Sequence, residues 1–381
     1  MGTPRGSRPR VVLIGVHGHG RVHLDGLLER ERSGVLELCG LADRREPAAG
    51  SGAAGREFDT DAVRLLEKLR PDIAVISTPI HTHLELAESA LRVGAHLLLE
   101  KPPVTSVADH DRLLLAAATA RRHCQVGFQA FGSSAVADLL AKVRGGELGI
   151  VERVAMSGCW WRGYEYYARS PWAGHRRLDG VTVADGVLTN PFAHGVALAL
   201  RLAGNEVEVR SATIEPYRAY DIETDDTACA RIETDAAPVT LAATLCAETE
   251  SEPFVRVFGT RAIATIWYTE DRLRIDGRPE YVGDRIALID DLIDHLDDDP
   301  AADVLRSPLR STRAFTEVLE AIQLGPAPRA IPLDHVHAGE FGRTIPGIED
   351  AVARAVATGR LFSELDGIPW AITAKEGDPA S

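Results

Sequence analysis

Along the first hundred residues, continuous apolar runs alternate with stretches whose apolar positions recur every three or four residues. Residues 11–14 form a β-run, and Val22, Leu24, Leu27 and Leu28 then mark one helical face. A second apolar run over 35–41 leads to Asp43, a Gly/Ala-rich loop covers 48–55, and a helix near 60–70 is closed by Pro71. Residues 73–77 read as strand, 83–93 as a helix stopped by Gly94 in the C′ position, and 96–99 as a strand ending at Glu100. Strand–helix alternation at this rhythm predicts a doubly wound parallel sheet, whose ligands bind where strands end.

Past residue 150 the pattern changes. Apolar runs at 151–159, 207–214, 227–232, 239–245, 254–258 and 263–268, several alternating with polar residues, predict a mostly antiparallel sheet with one solvated face. Helical spacing appears near 191–203, 285–297 and 311–323, and 345–372 reads as a further helix and a docked terminal segment containing "FSELDGIPWA". The expected fold class is α/β: a doubly wound parallel domain over 1–130, an α+β domain with a large, mostly antiparallel sheet over 131–325, and a C-terminal extension over 326–381 docking on the body.

A length of 381 residues agrees with more than one core. A net charge of −14 argues against nucleic acid or an anionic membrane as partner. Cys39, Cys124, Cys159, Cys229 and Cys246 are scattered without a C-x-x-C pair, which suits small buried residues in a reducing compartment. No apolar stretch has membrane-spanning length and no leader pattern precedes the first strand, so a cytoplasmic protein is expected.

The chemistry begins in "GVHGHG", where Gly15 and Gly20 fill the first and last places of a G-x-G-x-x-G dinucleotide turn. His17 occupies the middle place, where a side chain crowds a pyrophosphate, although an imidazole also offers it a hydrogen bond. Gly18 and His19 complete the turn, and the helix opening at Gly20 presents its N-terminus to an anion. Asp43, after the second strand, is placed to accept both ribose hydroxyls and repel a 2′-phosphate. NAD is therefore the expected cofactor, with NADP left open by Arg44 and Arg45.

The run 72–102, "DIAVISTPIHTHLELAESALRVGAHLLLEKP", carries Thr78-Pro79, His83, Gly94 and Glu100-Lys101-Pro102. Together with the preceding strand–helix–strand unit it resembles the glucose–fructose oxidoreductase, inositol dehydrogenase and rhizopine-catabolism family of NAD(P)-dependent sugar oxidoreductases. The likeness continues through "VGFQAF", which contains Gln129, "GELGIVERV" and "VRVFGTRAIATI". It implies a Rossmann domain followed by an open-sheet domain. It also implies that Lys101 contacts substrate and nicotinamide, and that the open sheet face is a dimer or tetramer surface.

In "ADGVLTNPFAHGVALALRLAG", Asn190 and His194 stand four apart at a helix start, near one face. The resembling family carries aspartate where Asn190 stands and histidine at the place of His194, and a further aspartate is replaced by Ala197. Asn190 followed by Pro191 also reads as an N-cap. A helix start disfavours imidazolium, so His194 is expected to rest neutral as general base, with Asp185 and Asn190 bonding the reacting region. The segment "CWWRGYEYYARSPWAGHRR" gathers Arg162, Tyr166, Tyr167 and Trp172 into a cluster suited to a sugar ring and its hydroxyls. His17, His19 and His23, or His81 and His83, lack an Asp, Glu or Cys partner at ligand spacing, and no metal is expected.

These residues predict an NAD-dependent dehydrogenase of a sugar, sugar derivative or cyclitol, with Lys101 stabilising the alkoxide and His194 taking the proton. Redox-neutral epimerisation or glycoside cleavage with recycled NAD is one alternative. A non-catalytic sensor on the same fold is the other.

Overall fold

The computed structural model describes residues 8–371 except 49, 54, 205 and 303; residues 1–7 and 372–381, which belong to the expected first domain and C-terminal extension, lie outside the described residues. The chain divides into two units, Met1–Gly132 with Ile286–Thr316, and Ser133–Arg285 with Glu317–Ser381.

In the first unit, β1 (Arg10–Ile14), β2 (Glu37–Ala42), β3 (Glu57–Asp59), β4 (Ile73–Ile76), β5 (His96–Leu99) and β6 (Cys124–Val126) form one sheet in the order β3-β2-β1-β4-β5-β6. Every pairing is parallel. Strands covered on both faces have no solvated side to alternate with, which is why β1, β4 and β5 are buried throughout or nearly so. The helices are α1 (Gly20–Arg32), α2 (Ala62–Leu69), α3 (His83–Arg92) and α4 (Val107–Ala120). Asp61 and Ser106 cap α2 and α4 by accepting from Arg64 N and Asp109 N.

Residues 286–316, which follow the second sheet in sequence, return to this first unit. Leu288 and Leu292 of the helix Leu288–Asp294 join Leu24 and Leu27 of α1 in one buried cluster. The return is also specified by polar groups. Gln125 of β6 donates to Asp291 Oδ2 at 2.6 Å and accepts from Ser307 N at 3.0 Å, both inside the core. Arg30 on α1 holds Asp290 through two bonds of 2.5 Å.

The second unit opens with α5 (Ser134–Arg144) and β7 (Val151–Trp161), followed by a short α6 (Tyr164–Ala168), a hairpin of β8 (Arg177–Leu178) and β9 (Val181–Thr182), and α7 (Ala193–Ala203). Its sheet is completed by β10 (Val209–Arg218), β11 (Thr227–Thr234), β12 (Val239–Thr244), β13 (Cys246–Gly259), β14 (Ile263–Trp267), β15 (Arg272–Ile275), β16 (Tyr281–Val282) and β17 (Arg329–Ala330). The nine strands run β16-β15-β14-β13-β7-β12-β11-β10-β17, with parallel pairing at β7–β12 and β10–β17 alone. The run at 254–258 is the far end of the 14-residue β13, whose register against β7 shifts between Cys246 and Ser251 and again before Phe254. Those irregularities break the period-two pattern and hide the first half of the strand.

The two faces of β7 are both occupied. Gly158 faces Phe192 at the start of α7, and Met156 lies against Gly195. On the other face, Ala155 and Cys159 share a buried cluster with Val352, Ala355, Phe362 and Trp370. These come from α8 (Ile348–Thr358) and the segment after it. The sheet face expected to be open is thus covered over its central strands by the chain's own C-terminal segment. None of the described helices is long and apolar enough to cross a membrane.

Phe192 leads into α7, and glycine at 158 makes room for it: an added Cβ would sit 2.5 Å from the ring. Gly158→Val is expected to destabilise the fold by the overpacking cost of ~1–3 kcal/mol and so to lower the thermal midpoint. An unchanged midpoint in calorimetry would show that the ring is not clamped there.

Candidate active site

The cofactor turn follows β1 at the switch point between β1 and β4. Gly15 has φ +87°, and a Cβ there would lie 2.3 Å from Ser77 O. A Cβ on Gly20 would lie 2.0 Å from Gly15 O, so the start of α1 packs directly on the turn. A Cβ on Gly18 would meet nothing within 4 Å, which leaves open space at the helix N-terminus for a pyrophosphate.

His17 plays a part that its position in the motif does not reveal. Its Nδ1 lies 3.0 Å from Asp43 Oδ2, the same oxygen that accepts from Val16 N at 2.8 Å. The ring therefore turns onto the carboxylate at the end of β2. Burial pushes the Asp43 carboxyl up, but the His17 ring and the Val16 and Arg45 amides outweigh it and hold it below the ordinary aspartate value. Arg44 beside it is exposed.

Past β4, Thr78 Oγ1 shares a hydrogen bond with Thr82 Oγ1 at 2.7 Å, and Pro79 is exposed. His83, at the start of α3, is 1% exposed. Its Nε2 lies 2.8 Å from Thr78 O, and its Nδ1 lies 3.0 Å from Pro102 O and 3.2 Å from Pro103 O. Burial lowers its pKa against the pull of these carbonyls, and the ring lies between the segment after Lys101 and the end of β4, a neutral ring donating to one side only. Lys101 itself is half-buried, and its N–H donates to Glu100 Oε2 at 3.2 Å.

Glu100 is buried beneath two imidazoles. His23 Nε2 lies 2.7 Å and His19 Nε2 3.5 Å from its Oε1. Burial alone would raise the Glu100 carboxyl; bonds from both rings reverse this and hold it far below the usual range, while His19 is raised, first by its bond to Glu100. His23 has no place in the glycine motif, and only its position four residues past His19 hinted at this contact. Gln129 lies exposed at the start of the short helical turn Gln129–Gly132 after β6.

In the second unit α7 starts at Ala193, with Phe192 at the cap position, so Asn190 is not its N-cap. The Asn190 side chain instead donates to Asp185 Oδ1 at 2.9 Å. Asp185, 4% exposed, also accepts from Gly174 N at 2.8 Å and stands 3.7 Å from Arg169. The Arg169 guanidinium stacks on Tyr166 at 3.6 Å and Trp172 at 4.6 Å, while Arg162 lies 4.7 Å over Trp160 and pairs with Glu250 at 3.1 Å. Asp185, Asn190, Arg169, Tyr166 and Trp172 thus form one aromatic and charged patch. Tyr167 bridges outward from the patch, edge-on to Tyr166 at 5.2 Å and packed on Tyr220 at 4.8 Å against the C-terminal cluster. His194 lies half-buried in the first turn of α7.

Sequence reasoning missed the neighbouring pair Asp225 and Asp226, both fully buried behind Asp185. Asp226 accepts from Ala219 N at 2.7 Å and Tyr220 N at 2.9 Å, and Asp225 accepts from Val187 N at 3.1 Å. Burial raises Asp225 to about 7 and Asp226 to about 6, with neighbouring carboxylates adding to the rise of Asp225. Two adjacent acids ahead of a strand were the available signal.

The family model described as oxidoreductase family, NAD-binding Rossmann fold, matches residues 9–128, and the GFO/IDH/MocA C-terminal domain matches 136–265. Glycosyl hydrolase family 109 protein 2 of Akkermansia muciniphila is 28% identical over 133 residues, covering 32% of this chain and 28% of its own. Inositol 2-dehydrogenase 4 of Saccharopolyspora erythraea is 31% identical over 142 residues, covering 37% and 42%. The chain therefore spans less than half the length of these two relatives. The WlbA dehydrogenase of Bordetella pertussis, solved with NADH and UDP-GlcNAcA, shares the fold with a TM-score of 0.68 at 22% identity, over 83% of this chain and 95% of its own.

The native state keeps a proton on Asp225 that the unfolded chain releases near its ordinary 3.8. Stability should therefore fall as pH rises from about 4 towards 7. Asp225→Asn is expected to flatten that fall in thermal melts across this window; a slope identical to the unmodified protein would remove Asp225 as its source.

Proposed function

Because the chain belongs to the GFO/IDH/MocA oxidoreductase family, we propose that it is an NAD-dependent dehydrogenase acting on a secondary alcohol of a sugar, sugar derivative or cyclitol. The observation that carries this reading is the tie between the cofactor turn and the Lys101 segment, made by His23 and Glu100 at 2.7 Å. The loop bearing a cationic side chain is thereby anchored beside the dinucleotide turn.

NAD supplies the hydride acceptor. Gly15, Gly18 and Gly20 admit the pyrophosphate, Thr78 and Pro79 line the same sheet edge, and Asp43 reads the ribose hydroxyls. The Lys101 ammonium orients the substrate hydroxyl and stabilises the alkoxide as it forms. His194 accepts the hydroxyl proton. Asn190, fixed by Asp185, accepts a hydrogen bond from the substrate, and Tyr166, Trp172 and Arg162 offer apolar faces and a donor to a polyhydroxylated ring. Gln129 contributes a further polar contact. Likeness to glycosyl hydrolase family 109 protein 2 favours one second reading, redox-neutral turnover with the cofactor recycled.

A screen of sugars and polyols followed by NADH absorbance tests the proposal. Net NADH formation supports oxidation, product formation without it supports the second reading, and NAD binding without turnover of any sugar makes the protein a sensor. His194→Ala should lower kcat by ~10²–10⁴-fold and remove one ionisation from the pH–rate profile, with NAD affinity within a few-fold. Wild-type turnover by that variant, with chemistry rate-limiting, would make His194 a packing residue. NAD should bind at least ~10-fold tighter than NADP, about 1.4 kcal/mol, and Asp43→Ser should shrink that gap. Equal affinities in the unmodified protein would transfer the ribose contact to Arg44 and Arg45.

A further inference from the structure

Spacing along the chain offers the histidines of the glycine turn no acidic partner, but the fold brings one from the end of β5. His19 and His23 stand four residues apart at the start of α1, which places both rings on one side of the helix. The rings meet edge to face with centroids 5.3 Å apart. Both point Nε2 at Glu100 Oε1, at 3.5 and 2.7 Å. One ligand atom from each of the three residues lies within 4.8 Å of the other two.

Donors about 2.0–2.1 Å from a tetrahedral zinc ion stand about 3.3 Å apart. The His19–Glu100 distance of 3.5 Å is close to that spacing, the His23–Glu100 distance of 2.7 Å has to lengthen by about 0.6 Å, and the two imidazole nitrogens, within 4.8 Å of each other, have to close by up to about 1.5 Å. Two imidazoles and a carboxylate are the donor set of zinc sites that keep one position open. Glu100 and His23 side chains are 10% and 12% exposed and form a fixed base, while His19 at 57% leaves the group reachable from solvent. The second carboxylate oxygen accepts from Lys101 N at 3.2 Å, which orients the ligating oxygen as an outer-shell contact does in metal sites. A divalent ion would also neutralise a carboxylate that burial makes costly to leave unpaired. Lys101 and the positive end of α1 act against a cation here, so ligation has to rest on all three donors.

We propose that His19, His23 and Glu100 form a three-donor site for a divalent transition ion of the zinc type, with a fourth position open to an oxygen donor. The site goes beyond dehydrogenase chemistry and does not require it.

The test uses the full chain without an affinity tag, stripped with chelator and titrated with Zn²⁺ against a chromophoric competitor. Co²⁺ absorption serves as a second probe. One equivalent of Zn²⁺ should bind, His19→Ala should weaken it at least ~10-fold, and His335→Ala, on the short helical turn 333–335, should leave it unchanged. His19 is largely exposed, so His19→Ala should retain a cooperative thermal transition; Glu100→Gln provides the second ligand variant. Absence of stoichiometric binding overturns the site, as does an affinity that His19→Ala leaves unchanged. The readout is metal itself, so its failure leaves the dehydrogenase reading intact, and absence of turnover leaves the metal site intact.

Discussion

A carboxylate buried at the end of a parallel strand must find positive or hydrogen-donating partners, and the first unit is arranged around that need at Glu100. Its partners come from α1, through His19 and His23, and from the backbone of Lys101. Gly127, just past β6, runs so close that an added Cβ would lie 2.8 Å from Oε1. The glycine turn after β1, the lysine segment after β5 and the exit of β6 therefore meet on one side chain. Removing one partner of such a charge leaves the other buried and unpaired, which costs far more than a surface pair is worth. His83 completes the restraint from the opposite side, its buried ring lying between the carbonyls of Thr78 and Pro102. The segment that carries Lys101 is pinned at both ends while its side chain stays half-buried.

The Rossmann half was legible because strands buried on both faces read as plain apolar runs and α2 and α3 stop beside proline and glycine. Observed β4, α3 and β5 lie within a residue of the expected bounds. The three-residue β3 and β6 are too short to carry a pattern, and α4 was passed over although Ser106 caps it. The return of residues 286–316 could not be read from order along the chain. It depends on Gln125 meeting Asp291 and Ser307, more than 160 residues away. The site shows the same division. Gly15, Gly20 and Asp43 announce themselves by spacing, whereas the His17–Asp43 and His23–Glu100 contacts exist only once strand ends are brought together.

In the second unit the sheet was legible and its covering was not. Alternation along β7 predicts two faces, and it says nothing of which segment lies on each. Met156 and Gly158 take α7, while Ala155 and Cys159 take the C-terminal cluster. A face packed on its own chain by Val352, Phe362 and Trp370 is no longer an open surface over those strands. The docked terminal segment and an open central sheet, both expected from the sequence, compete for the same place, and packing decides for the segment.

The loss of an acidic residue at 190 has a comparable resolution. A carboxylate oxygen accepts and an amide nitrogen donates, so the nitrogen end of the Asn190 amide faces Asp185. The nitrogen donates to Asp185 at 2.9 Å, and the carbonyl oxygen is turned the other way. The amide of Asn190 stands where the resembling family carries a carboxylate, without placing a second carboxylate beside Asp185. Asp225 and Asp226 lie behind, in a setting where burial already works against ionisation. A carboxylate at 190 would face the Asp185 oxygen that the amide nitrogen now meets, and the amide avoids that repulsion.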